Sequence, residues 1–425
     1  MKIFIQDNPL YYACIKYAVR VFANNKGISV LFVNEPAESD FRIDETPGSD
    51  LPVALDFYRG IQSGKFEHEN YFHKDCIIYT QDGKADLLAT CFYMINSLQE
   101  YNSTTDAIGR FAYVNSYQRK FRNVKENLVQ KYFDRLAEHP KFSGVAKRLE
   151  KTRVFISHDI DDINAAWKED GFAAFKKGQV HHMFRLLFNM AVQKPDWFNM
   201  DLIMKIHDEY SLRSTFFWLV NKGRSESGLS NADYNVQDKK IQDTIARVKQ
   251  NGFENGIHKS ASNENFAEEF KKLGFTPLAN RYHFLKFNLP NGYNELQAAG
   301  IKLDTSLGFS EQYGFRNSYG QAFQPFNIAA QKPYGFVELP LQIMDRTFHH
   351  MRTPVGNIAK EVIAFFEQNK YNCTLSVLWH NNFFNSIKYK GYLAEYKKII
   401  SYLYENDIRS LSQQEIIDRY LVLHE

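Results

Sequence analysis

A chain of 425 residues is long enough to bury a large core and to form two or three domains. Its formal net charge of +3, with 24% charged residues, provides no basic face of the kind nucleic acid requires. The 36 Phe and 25 Tyr suit packed cores or sugar-stacking pockets, with the core as the default reading.

In chain order, the opening run Met1 to Ile5 is interrupted by Asp7, Asn8 and Pro9 before a signal-peptide apolar region can form. Tyr11 to Asn24 has helical periodicity, and Ile28 to Val33 and Ile77 to Tyr79 read as strands. Ala85 to Tyr101 reads as an amphipathic helix. The polar, Lys-rich stretch Pro140 to Thr152 is the expected boundary between a mixed α/β domain (1–145) and a second domain (150–425). Beyond it, strands are predicted at Val154 to Ser157, Thr215 to Val220, Phe253 to His258, Ile301 to Thr305, Val337 to Leu341 and Thr374 to Trp379. Helical stretches separate most of them, at Met200 to Tyr210, Asp238 to Asn251, Glu264 to Leu273, Tyr293 to Ala299 and Val355 to Asn369, and Gly391 to Tyr404 closes the series. Such alternation predicts a parallel α/β barrel.

No apolar run approaches the roughly 20 residues of a membrane helix. The four cysteines, Cys14, Cys76, Cys91 and Cys373, lack CxxC or metal-like spacing and read as buried thiols of a reducing compartment. A cytoplasmic protein without an integral membrane segment is the expectation; oligomeric state is left open.

The most informative segment is Phe155-Ile156-Ser157-His158-Asp159-Ile160-Asp161-Asp162. A buried strand that ends in acids is costly unless they hold a metal or move a proton. Asp159 and Asp161 are two apart and point to one side of an extended strand. Other predicted strands end in Gly256-Ile257-His258-Lys259-Ser260-Ala261-Ser262 and Leu378-Trp379-His380-Asn381-Asn382, and a further segment supplies Asn280-Arg281-Tyr282-His283-Phe284. In a βα barrel those ends share one face. Two imidazoles and a carboxylate match a zinc-type site with room for water.

As an ordered set these segments, with Asp304-Thr305-Ser306-Leu307-Gly308-Phe309 and Gly314-Phe315-Arg316, resemble the polysaccharide deacetylase family, carbohydrate esterase family four, over about residues 150–410. Asp86 to Ile95 and Asp106 to Phe111 are similar to a domain that precedes the barrel in some bacterial members. The resemblance implies a distorted (β/α)7 barrel behind a smaller mixed α/β domain. It implies Asp159 as general base, Asp161 and His258 as metal ligands, Arg281 as the arginine that orients the base, and His380 as general acid. The second histidine of the family's His-x-x-x-His motif falls on Ser262, a poor ligand. His283 is the favoured third ligand; a water-completed site, Asp162 or His158 are the alternatives. Phe284, Arg316, Leu378 and Trp379 are the expected pocket residues, and Asp304 either orients a histidine or caps a turn.

The implied cofactor is a divalent metal, zinc first and cobalt or nickel next, which lowers the pKa of bound water from about 15.7 toward about 7. The implied reaction is removal of an N-acetyl group from a sugar or glycoconjugate. A catalytically silent carbohydrate-binding barrel, favoured by Ser262, and hydrolysis of a non-sugar C–N bond are the competing readings.

Overall fold

The computed structural model describes residues 1–66, 77–142, 144, 149–191, 196–384 and 386–422. Cys76 and part of the expected boundary stretch lie outside the described residues.

The chain begins with a parallel three-stranded sheet in the order β2-β1-β3, formed by β1 (Lys2–Ile5), β2 (Leu31–Val33) and β3 (Phe41–Ile43). The helix Tyr12–Lys26 makes the crossover and stops at Gly27, whose φ of 66° is freely open only to glycine. The expected strand at Ile77 to Tyr79 is reduced to a single bridge between Tyr79 and Ala85. The long helix expected from Ala85 divides into Leu87–Ile95 and the 3-10 turn Leu98–Glu100, because Ser97 takes the left-handed conformation between them. Asp86 fixes its start by accepting the Ala89 N–H.

The larger unit is an eight-stranded, wholly parallel sheet of β4 (Arg153–Ile160), β5 (Thr215–Leu219), β6 (Glu254–Lys259), β7 (Ala279–Tyr282), β8 (Leu303–Asp304), β11 (Val337–Glu338), β12 (Ile343–Met344) and β13 (Thr374–Leu378). A small antiparallel ribbon, β9 (Phe326–Asn327) with β10 (Lys332–Pro333), lies in the long β8–β11 connection. The sheet order is β11-β8-β7-β6-β5-β4-β13-β12. Its two edges, β11 and β12, belong to one run of chain, Val337 to Met344. Pro340 interrupts that run, lacking the N–H a continuous strand would donate. One broken strand therefore spans from β8 to β13 and curls the sheet into a distorted barrel with seven strand positions. The mixed α/β class and its N-terminal extension follow from these pairings.

β4 is buried from Val154 to Ile160, as a parallel strand covered on both faces must be. The main apolar core runs without a break from Ile3 to Ile408, across the expected boundary. Phe326 packs against Tyr17 and Phe92, and Phe133 against Tyr319, joining the N-terminal elements to the barrel. No helix among the described residues is long and apolar enough to cross a membrane.

Candidate active site

Strand alternation sorts the residues at the end of β4. His158 faces outward into a ring cluster with His207, Phe216, Phe384 and Tyr396, and its Nδ1 donates to the Trp379 carbonyl at 2.7 Å. Burial pushes its pKa down to about 4. Facing away from Asp161 and His258, it is not among the clustered donors. Asp159 and Asp161 face inward, toward His258 on β6 and the turn after β7. Parallel register sets His258 beside Arg281.

The protons on the two inward histidines are fixed by carbonyl groups, which can only accept. His258 Nδ1 donates to the Arg281 carbonyl at 2.9 Å, and His283 Nε2 donates to that of Ser230 at 2.9 Å. In their neutral forms the remaining nitrogens, His258 Nε2 and His283 Nδ1, therefore both carry lone pairs. These two atoms lie only 3.1 Å apart. Asp161 Oδ1 completes the cluster, 3.3 Å from His258 Nε2 and 3.7 Å from His283 Nδ1. Facing lone pairs beside a buried carboxylate repel unless a positive charge sits among them.

The titration behaviour agrees. Burial opposes charge on Asp161, yet His283, His258 and His380 outweigh it and hold its pKa well below the ordinary range. Burial also opposes protonation of His258, but Asp159 and Asp161 outweigh it and raise its pKa. Burial drives His283 down to about 3, so it stays neutral. The cluster favours one cation at its centre, either a proton on His258 or a metal ion. Two imidazole nitrogens and a carboxylate oxygen, mutually within 4.8 Å, could hold a metal ion, and their types match the donors zinc takes.

Further charged and ionisable groups flank this cluster. Asp159 Oδ2 lies 3.5 Å from His258 Nε2, and its Oδ1 lies 3.8 Å from Arg281 NH1. Both Asp159 Oδ1 and Arg281 NH1 are buried without a hydrogen-bond partner, so a group placed between them has polar atoms to meet. Arg281 is anchored by Nε and NH2 donating to Thr305 Oγ1 at 3.1 and 3.0 Å. His380 Nε2 lies 3.8 Å from Asp161 Oδ2. Arg346 NH2 approaches the same oxygen at 3.2 Å.

These groups surround a cavity of about 140 Å³ whose wall includes Arg110, Phe284, Met344, Leu378 and His350. Leu285, Leu341, Met344 and Leu378 make a small apolar cluster there. Phe284 and Leu285 have φ of 59° and 54°, so the chain turns sharply behind His283. Arg110 comes from the N-terminal part and donates to the Phe284 carbonyl at 2.9 Å, bracing that turn.

Several expected placements need correction. Arg316 does not line the cavity; it is buried, forming a two-point ion pair with Glu100 at 2.8 and 2.5 Å and donating to the Gly308 carbonyl. Trp379 alternates outward from Leu378 and packs on Tyr392 and Tyr396. Ser262 lies beside Asn221 and Glu269, away from the donor cluster. Asp162 is not in the donor cluster either, and burial together with Asp161 and Asp233 raises its pKa to about 8. Asp304 accepts from Asn280 Nδ2 and the Ser306 N–H, capping the turn rather than orienting a histidine.

Three groups at the site were not anticipated: Asp345, Arg346 and Arg110. Asp345 accepts hydrogen bonds from the His380 Nδ1–H at 2.7 Å and the His380 backbone N–H at 2.6 Å. The acidic–basic pair directly after Ile343-Met344 is a short version of the strand-then-acid pattern of β4.

A profile of a family of unknown function (DUF7033) matches residues 5–141. No curated protein matches the chain. Among solved structures, a candidate polysaccharide deacetylase from Mycobacterium smegmatis is 13% identical with a TM-score of 0.38, covering 63% of this chain and 90% of that one. Puue allantoinase is 12% identical with a TM-score of 0.40, covering 64% and 91%. The Bacillus anthracis protein BA3943, described as a pseudoenzyme of the CE4 family, is 12% identical with a TM-score of 0.28, covering 64% and 67%. Likenesses of this size carry no argument about activity, and the chemistry rests on the side-chain geometry itself.

Proposed function

We propose that the protein is a metal-dependent hydrolase that removes the N-acetyl group from a sugar or glycoconjugate. The observation that carries this reading is the meeting of His258 Nε2, His283 Nδ1 and Asp161 Oδ1 around one point. A carboxylate stands on one flank and a carboxylate-held imidazole on the other.

Asp161, His258 and His283 would hold the ion, with Zn²⁺ the best match to two imidazoles and a carboxylate, and Co²⁺ or Ni²⁺ next. When bound, it supplies Lewis acidity, which makes water a usable nucleophile near neutral pH and polarises an amide carbonyl. Asp159, beside the Arg281 guanidinium, accepts the proton of the attacking water. The water oxygen bonds to the acetyl carbon, and a backbone N–H near Phe284 helps hold the oxyanion. His380 in its doubly protonated form, with the Nδ1–H held by Asp345, donates its Nε2 proton to the leaving nitrogen as the C–N bond breaks and is left as the neutral imidazole. The products are acetate and a free amine. A cavity of about 140 Å³ suits an acetamido group rather than a whole sugar ring, and the wall of Leu285, Met344 and Leu378 suits its methyl.

Ser262 was the ground for a silent binding barrel; the second imidazole nitrogen, from His283, offers the third ligand that Ser262 does not and so supports the catalytic reading. The test is acetate release from a panel of N-acetylated sugars by the zinc-loaded protein. Asp159→Asn and His380→Ala are each expected to cut turnover by at least about 100-fold. Unchanged turnover in both purified, folded variants would overturn the proposal.

A further inference from the structure

Between β4 and β5 the chain inserts a helical hairpin, Ala166–Lys176 and Val180–Ala191, turned at Gly178 with φ of 66°. Its inner side is held by Ala166, Leu186 and Trp197, a small buried cluster bordered by Ile387. Asp170 pins the base, accepting from Trp197 Nε1, Ser386 Oγ and the Lys388 N–H.

The outer side breaks the usual pattern. Val180, Phe184, Leu187 and Phe188 follow i, i+4, i+7, i+8 spacing, the stripe a helix ordinarily buries, yet all four are exposed. Phe172 and Phe175 on the first helix are exposed as well, and Phe184 reaches 69% exposure. Among the described residues, every exposed phenylalanine lies in this hairpin. A helical apolar stripe left exposed on a folded chain marks a contact surface.

Its charge border identifies the contact. The nearby acids are already engaged: Glu169 pairs with Lys388, Asp196 with Arg185, and Asp170 is buried. Lys168, Lys176 and Lys177 have no carboxylate partner among the described residues, and Lys177 donates only to the Ile387 carbonyl. Phenylalanines flanked by uncompensated lysines match the interface of a bilayer with anionic headgroups. A protein partner of ordinary composition would pair such lysines with its own acids, but would not require four unsheltered phenyl rings beside them.

We infer that this hairpin seats the protein on an anionic bilayer surface, with Phe172, Phe175, Phe184 and Phe188 entering the boundary between headgroups and acyl chains. The lysines meet lipid phosphates at the rim. The hairpin leaves from the end of β4 that carries Asp159 and Asp161, the end at which a barrel site opens. The inference does not depend on the hydrolase reading.

Flotation of the full chain with phosphatidylcholine vesicles, with and without phosphatidylglycerol, tests it. Binding is expected only with the anionic lipid, and it weakens in high salt. Phe184→Asp combined with Phe188→Asp, and separately Lys176→Glu combined with Lys177→Glu, are each expected to lower partitioning at least about tenfold. Both variants should stay folded by circular dichroism. Absence of wild-type binding to anionic vesicles overturns the inference, as does equal binding by the phenylalanine variant. So does a dimer that Phe184→Asp dissociates, in a chain that ignores vesicles.

Discussion

Asp345 holds His380 at two points, accepting the imidazole Nδ1 proton at 2.7 Å and the His380 backbone N–H at 2.6 Å. A carboxylate only accepts, so this contact keeps a proton on Nδ1 and aims Nε2, the nitrogen that carries the second proton of the acid form, at the cavity. Asp345→Asn keeps the shape but turns an obligate acceptor into a group that can also donate. Turnover of an N-acetylated sugar should fall by about 100-fold or more, with KM and metal content near wild type. If the loss appears in KM instead, Asp345 serves binding and His380 is not the acid.

The donor cluster separates His283 from Ser262. Removing a ligand should cost more affinity than the roughly 10–100-fold typical of a group one step removed from the ion. His283→Ala should therefore lose zinc on dialysis against a weak chelator that leaves the wild-type protein loaded. Ser262→Ala should keep its zinc, since Ser262 contacts Asn221 and Glu269 rather than the cluster. Elemental analysis of both variants decides the point; retention of zinc by the first would remove His283 from the ligand set.

Much of this geometry was legible where a group follows an apolar run that reads as a buried strand, whereas Arg281 and His283 come from a segment in which no strand was expected. Asp159 and Asp161 follow Val154 to Ile156, and His380 follows Thr374 to Leu378. Asp345 and Arg346 follow β12, which is only two residues long, too short for periodicity to announce it. Arg110 reaches Phe284 from 174 positions away, a distance that local pattern does not encode. Trp379 was placed in the pocket against the two-residue alternation that sends Leu378 inward. Arg316 lay in a matched segment, but its partner Glu100 is 216 positions earlier and its burial is a matter of tertiary packing. The strand expected at Ile77 to Tyr79 was a three-residue apolar signal, and it finds only one bridging partner.

His158 gives a pH dependence with a definite sign. Its folded pKa is depressed to about 4 by burial, against about 6.5 unfolded. Below pH 6.5 the unfolded chain takes up a proton that folded His158 refuses, so its contribution to stability declines as pH falls toward 4. His158→Gln removes the titration. The destabilisation this variant shows at pH 7 should shrink by about 2 kcal/mol at pH 5, about 1.36 kcal/mol for each pH unit below 6.5. Denaturant unfolding of the chelated protein at the two pH values measures it. A stability difference that stays constant with pH means that folded His158 takes up the proton readily.

Arg316 and Glu100 tie the N-terminal part to the barrel rather than serving the pocket. Both side chains are 2% exposed, and their two-point contact leaves neither charge to water. The rings of Phe111, Phe287 and Phe309 lie around the guanidinium, so water does not replace a missing partner easily. Breaking such a pair leaves one uncompensated buried charge, which costs about 3–5 kcal/mol. Glu100→Gln should therefore lower the unfolding free energy by about that amount, whereas the double change Glu100→Gln with Arg316→Met should recover part of it. Neither should alter zinc content or KM of the protein that remains folded, because Arg316 does not line the cavity. A rise in KM without loss of stability would return Arg316 to the substrate pocket.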